Sequence, residues 1–237
     1  MHFGVNELKE KCAGFLDLSA EAIEKLELYG NLLLEWNEKI NLTAITDPHE
    51  ILYKHFYDCL LFFEAVNVPE NASIIDVGTG AGFPGMVLKI ARPDISLTLL
   101  DSLGKRVTFL RELANTLSLD VNTLHLRAED GGRDSTLREQ FDISCARAVA
   151  NLNALSEYCV PFVKPGGVFV AMKGKSALAE LAAAKGALQT LGCSDFKVIH
   201  KVLRENEERS FIISKKTSQT PPKYPRNSAK IAKAVLK

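Results

Sequence analysis

Two hydrophobic rhythms divide the chain. After Ser19, Ile23, Leu26, Tyr29, Leu33, Trp36 and Ile40 recur at steps of three and four. That spacing draws one apolar stripe on a helix, and Ser19 suits its N-cap. Asp47-Pro48 opens a second helix whose Ile51, His55, Cys59 and Phe62 share a face. A polar break around Pro69 ends this helical region near residue 72.

From Ile74 the pattern alternates between strand-length and helix-length segments. Strands are expected at Ile74–Val77, Ile95–Leu100, Val121–Leu126, Phe141–Ala146 and Val168–Met172. Helices are expected at Phe83–Ala91, Leu103–Leu117, Leu152–Val163 and Ser176–Leu191, with Pro165-Gly166-Gly167 as a turn. Such alternation implies a parallel sheet with helices on both faces. Phe196–Leu203 and Ser210–Ser214 close the pattern with no helix between them, which implies one antiparallel strand at that edge. The expected units are an N-terminal helical cap over 1–72, an α/β domain over 73–214, and a tail over 215–237. The tail has three prolines after Thr217 and little apolar pattern before Ile231, so it is expected to be mobile.

Composition adds little to the 237-residue pattern, but the distribution of charge adds more. The whole chain is neutral, yet residues 1–72 carry a net −8 and residues 215–237 a net +7. A basic tail suits a polyanionic partner, although a tail that only aids solubility would look the same. The first ten residues lack the basic-then-apolar layout of a signal peptide, and the apolar runs are too short for a transmembrane helix. A cytoplasmic location is expected. The five cysteines are scattered without a C-x-x-C pair, which fits reduced core thiols. No metal is expected, because no His/Cys/Asp cluster has ligand spacing.

The densest chemical signal is Asp76-Val77-Gly78-Thr79-Gly80-Ala81-Gly82-Phe83-Pro84-Gly85, leaving a strand and entering a helix. Glycines there permit a tight turn and close approach of a ligand. Pro84 suits a first helical turn. The glycines run G-x-G-x-G, one residue tighter than the dinucleotide fingerprint. Asp101 ends the next strand, where a carboxylate can accept from both ribose hydroxyls; it would equally serve as a helix cap. Nicotinamide dehydrogenases share these features. Three details favour S-adenosylmethionine: Asp76 just before the glycines, Ala128-Glu129-Asp130 placed to read an adenine edge, and the antiparallel closure of the sheet. The expected fold is therefore α/β, a Rossmann-like seven-stranded methyltransferase sheet with an N-terminal helical cap. A small-molecule or protein methyltransferase and a non-catalytic nucleotide-binding module remain open at this point.

Longer motifs narrow the choice. Trp36-Asn37-Glu38-Lys39-Ile40-Asn41-Leu42-Thr43, Lys54-His55-Phe56-Tyr57-Asp58, the glycine turn through Gly85, and Leu100-Asp101-Ser102-Leu103-Gly104-Lys105-Arg106 stand together in this chain. Ala146-Arg147-Ala148-Val149 and Pro222-Lys223-Tyr224-Pro225-Arg226 join them. In combination the chain resembles the RsmG (GidB) family of small-subunit ribosomal RNA methyltransferases. The resemblance implies methylation of N7 of one guanine in a decoding-region loop of 16S ribosomal RNA, as naked RNA or in a small-subunit particle. It implies cofactor contacts at Gly78, Phe83, Ala128, Glu129 and Arg147, beside Asp76, Gly80 and Asp101 from the turn itself. It also keeps His55 and Asp58 as substrate-pocket residues.

Guanine N7 carries no proton, so its methylation needs orientation and no general base. No catalytic acid or base is therefore expected. An adenine-N6 enzyme would place an (Asp/Asn)-Pro-Pro-aromatic loop after the fourth strand, where this chain has Cys145-Ala146-Arg147-Ala148. Cys145 lies inside a strand pattern and reads as a core thiol rather than a nucleophile. Arg147 stands at the carboxyl edge of the sheet, where open α/β folds bind ligands; a salt bridge to Asp142 is the structural alternative. Lys105 and Arg106 oppose the dipole of the helix they start, which suits an anionic partner such as RNA phosphate, though a surface pair with Asp101 would do the same. Lys173 ends the fifth strand at the same edge. His55 could also be a packed histidine. The protein is expected to act as a monomer.

Overall fold

The computed structural model describes residues 3–205 and 207–236. Its centre is a seven-stranded sheet in the order β3-β2-β1-β4-β5-β7-β6. The strands are β1 (Ser73–Val77), β2 (Ser96–Asp101), β3 (Asn122–His125), β4 (Phe141–Arg147), β5 (Val163–Lys173), β6 (Cys193–Arg204) and β7 (Glu207–Lys216). β1 to β5 pair in parallel, and β7 runs antiparallel to both β5 and β6. The antiparallel strand is thus second from the edge; β6 returns beyond it. Chain order reverses between β1 and β4, so their carboxyl ends frame a crevice, the usual ligand position in an open α/β sheet.

The first helical region has no core of its own. α1 (Glu7–Cys12) and α2 (Ala20–Ile40) precede a long second helix. Ser19 caps α2 by accepting from Ala22 N–H at 3.0 Å. The stripe Ile23, Leu26, Tyr29 and Leu33 is buried in the same cluster as Ile74, Val87, Leu99 and Phe109. Trp36 packs on Phe109 with ring centroids 5.7 Å apart. Its apolar face therefore closes one side of the sheet. The other side is covered by the helices Leu152–Cys159 and Ala177–Thr190 in a second cluster.

The second helix departs from regular geometry. It comprises α3 (Pro48–Ile51), a π-helical turn (Leu52–Tyr57) and α4 (Asp58–Ala65), with Asp47 accepting from Glu50 N–H. Ile51, His55, Cys59 and Phe62 are all buried, as their shared face predicts. The π turn adds a residue to one turn, and Asp58 just beyond it is buried too.

Three further differences have identifiable causes. α5 (Gly85–Ala91) starts two residues later than the pattern suggests, because Asp76 accepts the Gly85 N–H and holds the preceding residues in the turn. Pro165-Gly166-Gly167 lies within β5, where pairing with β4 is irregular. A Cβ on Gly167 would stand 2.4 Å from the Asp142 carbonyl oxygen, so only glycine allows this approach. The tail, expected to be mobile, is instead docked. Arg226 forks onto buried Glu157, and Arg138 donates to the carbonyls of Thr220 and Tyr224. A short helix (Ser228–Lys233) then buries Ile231. Lys216 is wholly buried against Glu139 and the Val160 and Val163 carbonyls. Two of the tail's cations are therefore structural, whereas Lys215, Lys223, Lys230 and Lys233 are exposed.

Candidate functional site

The glycine turn sits at the carboxyl end of β1. Gly78, Gly80 and Gly82 have φ of 70°, 63° and 99°, which favours glycine. Gly78 and Thr79 N–H groups donate to the Leu100 carbonyl, tying the turn to β2. Asp76 is fully buried. Its Oδ2 accepts from Thr79 Oγ1 at 2.6 Å and Gly85 N–H at 2.8 Å, while Oδ1 has no partner within the protein. Burial pushes its carboxyl up to about 6. Asp101 accepts from Gly80 N–H and Leu103 N–H, one on each oxygen, both at 2.9 Å. Each Asp101 oxygen keeps a second lone pair, so capping the loop and accepting from a ligand are compatible.

Three cavities follow this edge. The first, about 160 Å³, is lined by Gly78, Leu100, Ser102, Ala128 and Glu129, with Ser228 of the docked tail at its wall. The second, about 180 Å³, lies over Gly78 to Ala81 and is walled by Phe83, Arg106, Thr43, His55 and Arg147. The third, about 390 Å³, is lined by Lys54, His55, Asp58, Arg147, Lys173 and Arg209. His55, Arg147 and Ala148 belong to both the second and the third. Ala148 has φ 57°, a conformation uncommon for alanine, and it turns the chain at this junction.

Arg147 ends β4 at that wall. Its Nη1 donates to the Lys54 carbonyl at 3.0 Å and to Asp58 Oδ2 at 2.9 Å. Its Nη2 lies 3.2 Å from His55 Nδ1, and the guanidinium carbon is 4.9 Å from the Phe83 ring centre. The alternative partner Asp142 is engaged elsewhere, by Lys164 and Ser73. His55 stacks on Phe83 with centroids 4.5 Å apart. Burial, then the Arg147 charge, lowers its pKa to about 3, so it is neutral at neutral pH. Arg209 completes the cluster by donating Nε to Asp58 Oδ1 at 2.7 Å. One carboxylate is thus shared by two arginines.

The remaining candidates separate. Arg106 lies 3.6 Å from Asp101 and faces the cavity over the turn, whereas Lys105 is exposed outside it. Lys173 lines the third cavity, but its ammonium is bound to the Ala150 carbonyl and Glu180. Arg209 and Thr43 join the site as well. Arg209 stands 151 residues from Asp58, and a charged residue in an edge hairpin gives no local signal. Thr43 lay within a matched motif without a role. Among the described residues, no His/Cys/Asp/Glu group could hold a metal ion, and no helix is long and apolar enough to cross a membrane.

Solved structures define the class first. A methyltransferase from Pyrococcus furiosus superposes with a TM-score of 0.56 at 16% identity, over 82% of this chain and 98% of that one. An O-methyltransferase from Thermotoga maritima, described as SAM-dependent, gives 0.52 at 15% identity, over 80% and 73%. The fold is that of the Rossmann-like methyltransferases.

The sequence then fixes the family. The profile for rRNA small subunit methyltransferase G matches residues 22–211. Proteins named ribosomal RNA small subunit methyltransferase G from Clostridium perfringens and Oceanobacillus iheyensis are 46% and 48% identical. The alignments cover 97% of this chain and 98% of the first relative, and 94% of both chains for the second. The chain belongs to the rRNA small subunit methyltransferase G family.

Proposed function

We propose that the protein transfers a methyl group from S-adenosylmethionine to N7 of a guanine in 16S ribosomal RNA. The methyl donor fits the first two cavities. The buried, unpartnered Asp76 Oδ1 can accept from a ligand, and Asp101 retains lone pairs for ribose hydroxyls. Gly78, Gly80 and Phe83 would line its path, with Ala128 and Glu129 at the adenine end and Arg147 at the other. When bound, S-adenosylmethionine supplies an electrophilic methyl group. His55, Asp58, Arg147 and Lys173 would receive the base, and Lys105 and Arg106 would meet RNA phosphate.

One observation carries the choice of N7. The titratable side chains at the junction are already engaged: His55 Nδ1 faces a cation, and both Asp58 oxygens hold arginines. An acceptor that must lose a proton would have no base there, whereas guanine N7 offers a bare lone pair. The chain's contribution is then to orient the base and exclude water. We place the reaction in the cytoplasm, on RNA or a small-subunit particle, with a single chain as the active unit.

The test is to map 7-methylguanosine in ribosomal RNA made with and without the protein, alongside calorimetry. The expected result is one guanine methylated only when the protein is present, with binding of S-adenosylmethionine and none of NAD. Unchanged RNA, or NAD binding, would overturn the reading.

A further inference from the structure

The Trp36–Thr43 stretch matched the family without acquiring a chemical role. In the structure it is a built turn. Asn41 ends α2 with φ 47°, and its N–H donates to the Asn37 carbonyl. The Asn37 side chain accepts from Thr43 N–H at 2.8 Å. Thr43 Oγ1 accepts from Ile45 N–H at 3.0 Å and lies 2.8 Å from His55 Nε2. The turn thus sets one hydroxyl against one ring nitrogen.

Proton positions follow from the partners. A guanidinium has only donors. Arg147 Nη2 therefore donates to His55 Nδ1, and the ring proton sits on Nε2, facing Thr43 Oγ1. The opposite tautomer would suit the Lys54 carbonyl, 3.1 Å from Nδ1. An Nδ1–H would, however, point a donor at the Nη2 donor and cost the Arg147 bond. The contacts to Lys54 and Asp58 both lie at Nη1, so His55 is the partner that fixes the direction of Nη2.

We infer that Thr43 is a positioning residue for methyl transfer: by accepting the Nε2 proton of His55 it keeps Nδ1 as the acceptor that orients Arg147. The inference rests on the methyltransferase reading above. It gives the helical cap a direct line into the site, from Asn37 through Thr43 and His55 to the wall shared by two cavities.

The experiment compares wild type, Thr43→Val and Thr43→Ser. Imidazole nitrogen NMR of the unliganded protein reports the His55 tautomer, and single-turnover methyl transfer to ribosomal substrate reports the rate. Wild type and Thr43→Ser should show the Nε2–H tautomer. Thr43→Val should move toward Nδ1–H and lose about 10- to 100-fold in rate, the scale set by small misplacements of a positioning group. Combined with Arg147→Lys, Thr43→Val should cost little more, because its effect runs through Arg147. An Nδ1–H tautomer in wild type would overturn the inference, as would a Thr43→Val variant with altered tautomer and full rate. A wild-type protein that methylates no ribosomal RNA would defeat the functional reading instead, and the ring spectra would still report the Thr43–His55 contact by itself.

Discussion

Two buried arginine–carboxylate clusters in this molecule are built in opposite ways. Arg226 gives its backbone N–H, Nε and Nη2 to Glu157, whose side chain is 0% exposed. One cation and one anion close on each other, and the tail is fastened. At the carboxyl edge of the sheet, Asp58 is divided between Arg147 and Arg209, and Arg147 is divided between Asp58, a carbonyl and a neutral histidine. That cluster has one cation more than it has anions, and it faces cavities. In the closed pair, both carboxylate oxygens of Glu157 are taken up by Arg226, so its evident role is to fasten the tail. An open cluster keeps directional groups available to whatever enters, at some cost in desolvation.

The largest expected effect separates the two by function. Arg147→Ala should reduce single-turnover methylation by roughly 100-fold or more, the scale for misplacing a group that orients the reacting base. Arg147→Lys should also be strongly impaired, because it loses the planar fork. Asp58 keeps Arg209 in both variants, so circular dichroism and the thermal midpoint should change little. Full activity in Arg147→Ala would remove the residue from the site and erase the contrast.

Arg226→Ala should show the reverse pattern. It leaves Glu157 buried without its partner, and breaking such a pair costs roughly 3–5 kcal/mol. Denaturant unfolding should register that loss, while residual activity of the folded fraction should exceed that of Arg147→Ala. A stability near wild type would mean that the tail is not fastened by this pair.

A smaller effect concerns acid. His55 titrates at 6.5 when unperturbed and about 3 in the fold, so the unfolded chain binds the proton first. Its contribution to stability is complete above 6.5 and is lost as pH falls toward 3. Asp76 acts in the opposite sense: raised from 3.8 to about 6, it favours the fold at low pH and loses that contribution as pH rises through 6. His55→Gln removes the first effect alone, so its stability should fall less between about pH 7.5 and pH 5 than that of wild type. Parallel loss in both would show that His55 is not held neutral. Between about pH 7 and 8, neither group should impose a limb on the methylation rate.

The smallest effect belongs to the outer surface of the tail. Replacing exposed Lys230 and Lys233 with glutamine should leave stability intact and weaken RNA binding slightly. The salt dependence should fall by about 0.7–0.9 in log–log slope for each phosphate no longer neutralised. An unchanged slope would leave those lysines to solubility and restrict RNA binding to the open cluster and its rim.

The sequence by itself determined the local layers of this protein. Helical and strand periodicities, the Ser19 cap, the glycine turn and Asp101 are read from neighbours a few residues apart, because backbone sterics and period-specific burial act at that range. Asp76, Gly78, Gly80, Ala128 and Glu129 were legible for the same reason, lying in or beside turns. Tertiary structure alone decided the rest. The sharing of Asp58 between Arg147 and Arg209 joins residues 89 and 151 positions away. The fastening of Arg226 to Glu157 spans 69. The π turn over Leu52–Tyr57 and the close approach of Gly167 to Asp142 depend on what packs against them. Charge in a sequence announces only that a residue must be solvated or paired; which partner satisfies it is chosen when folding removes water and leaves one carboxylate within reach.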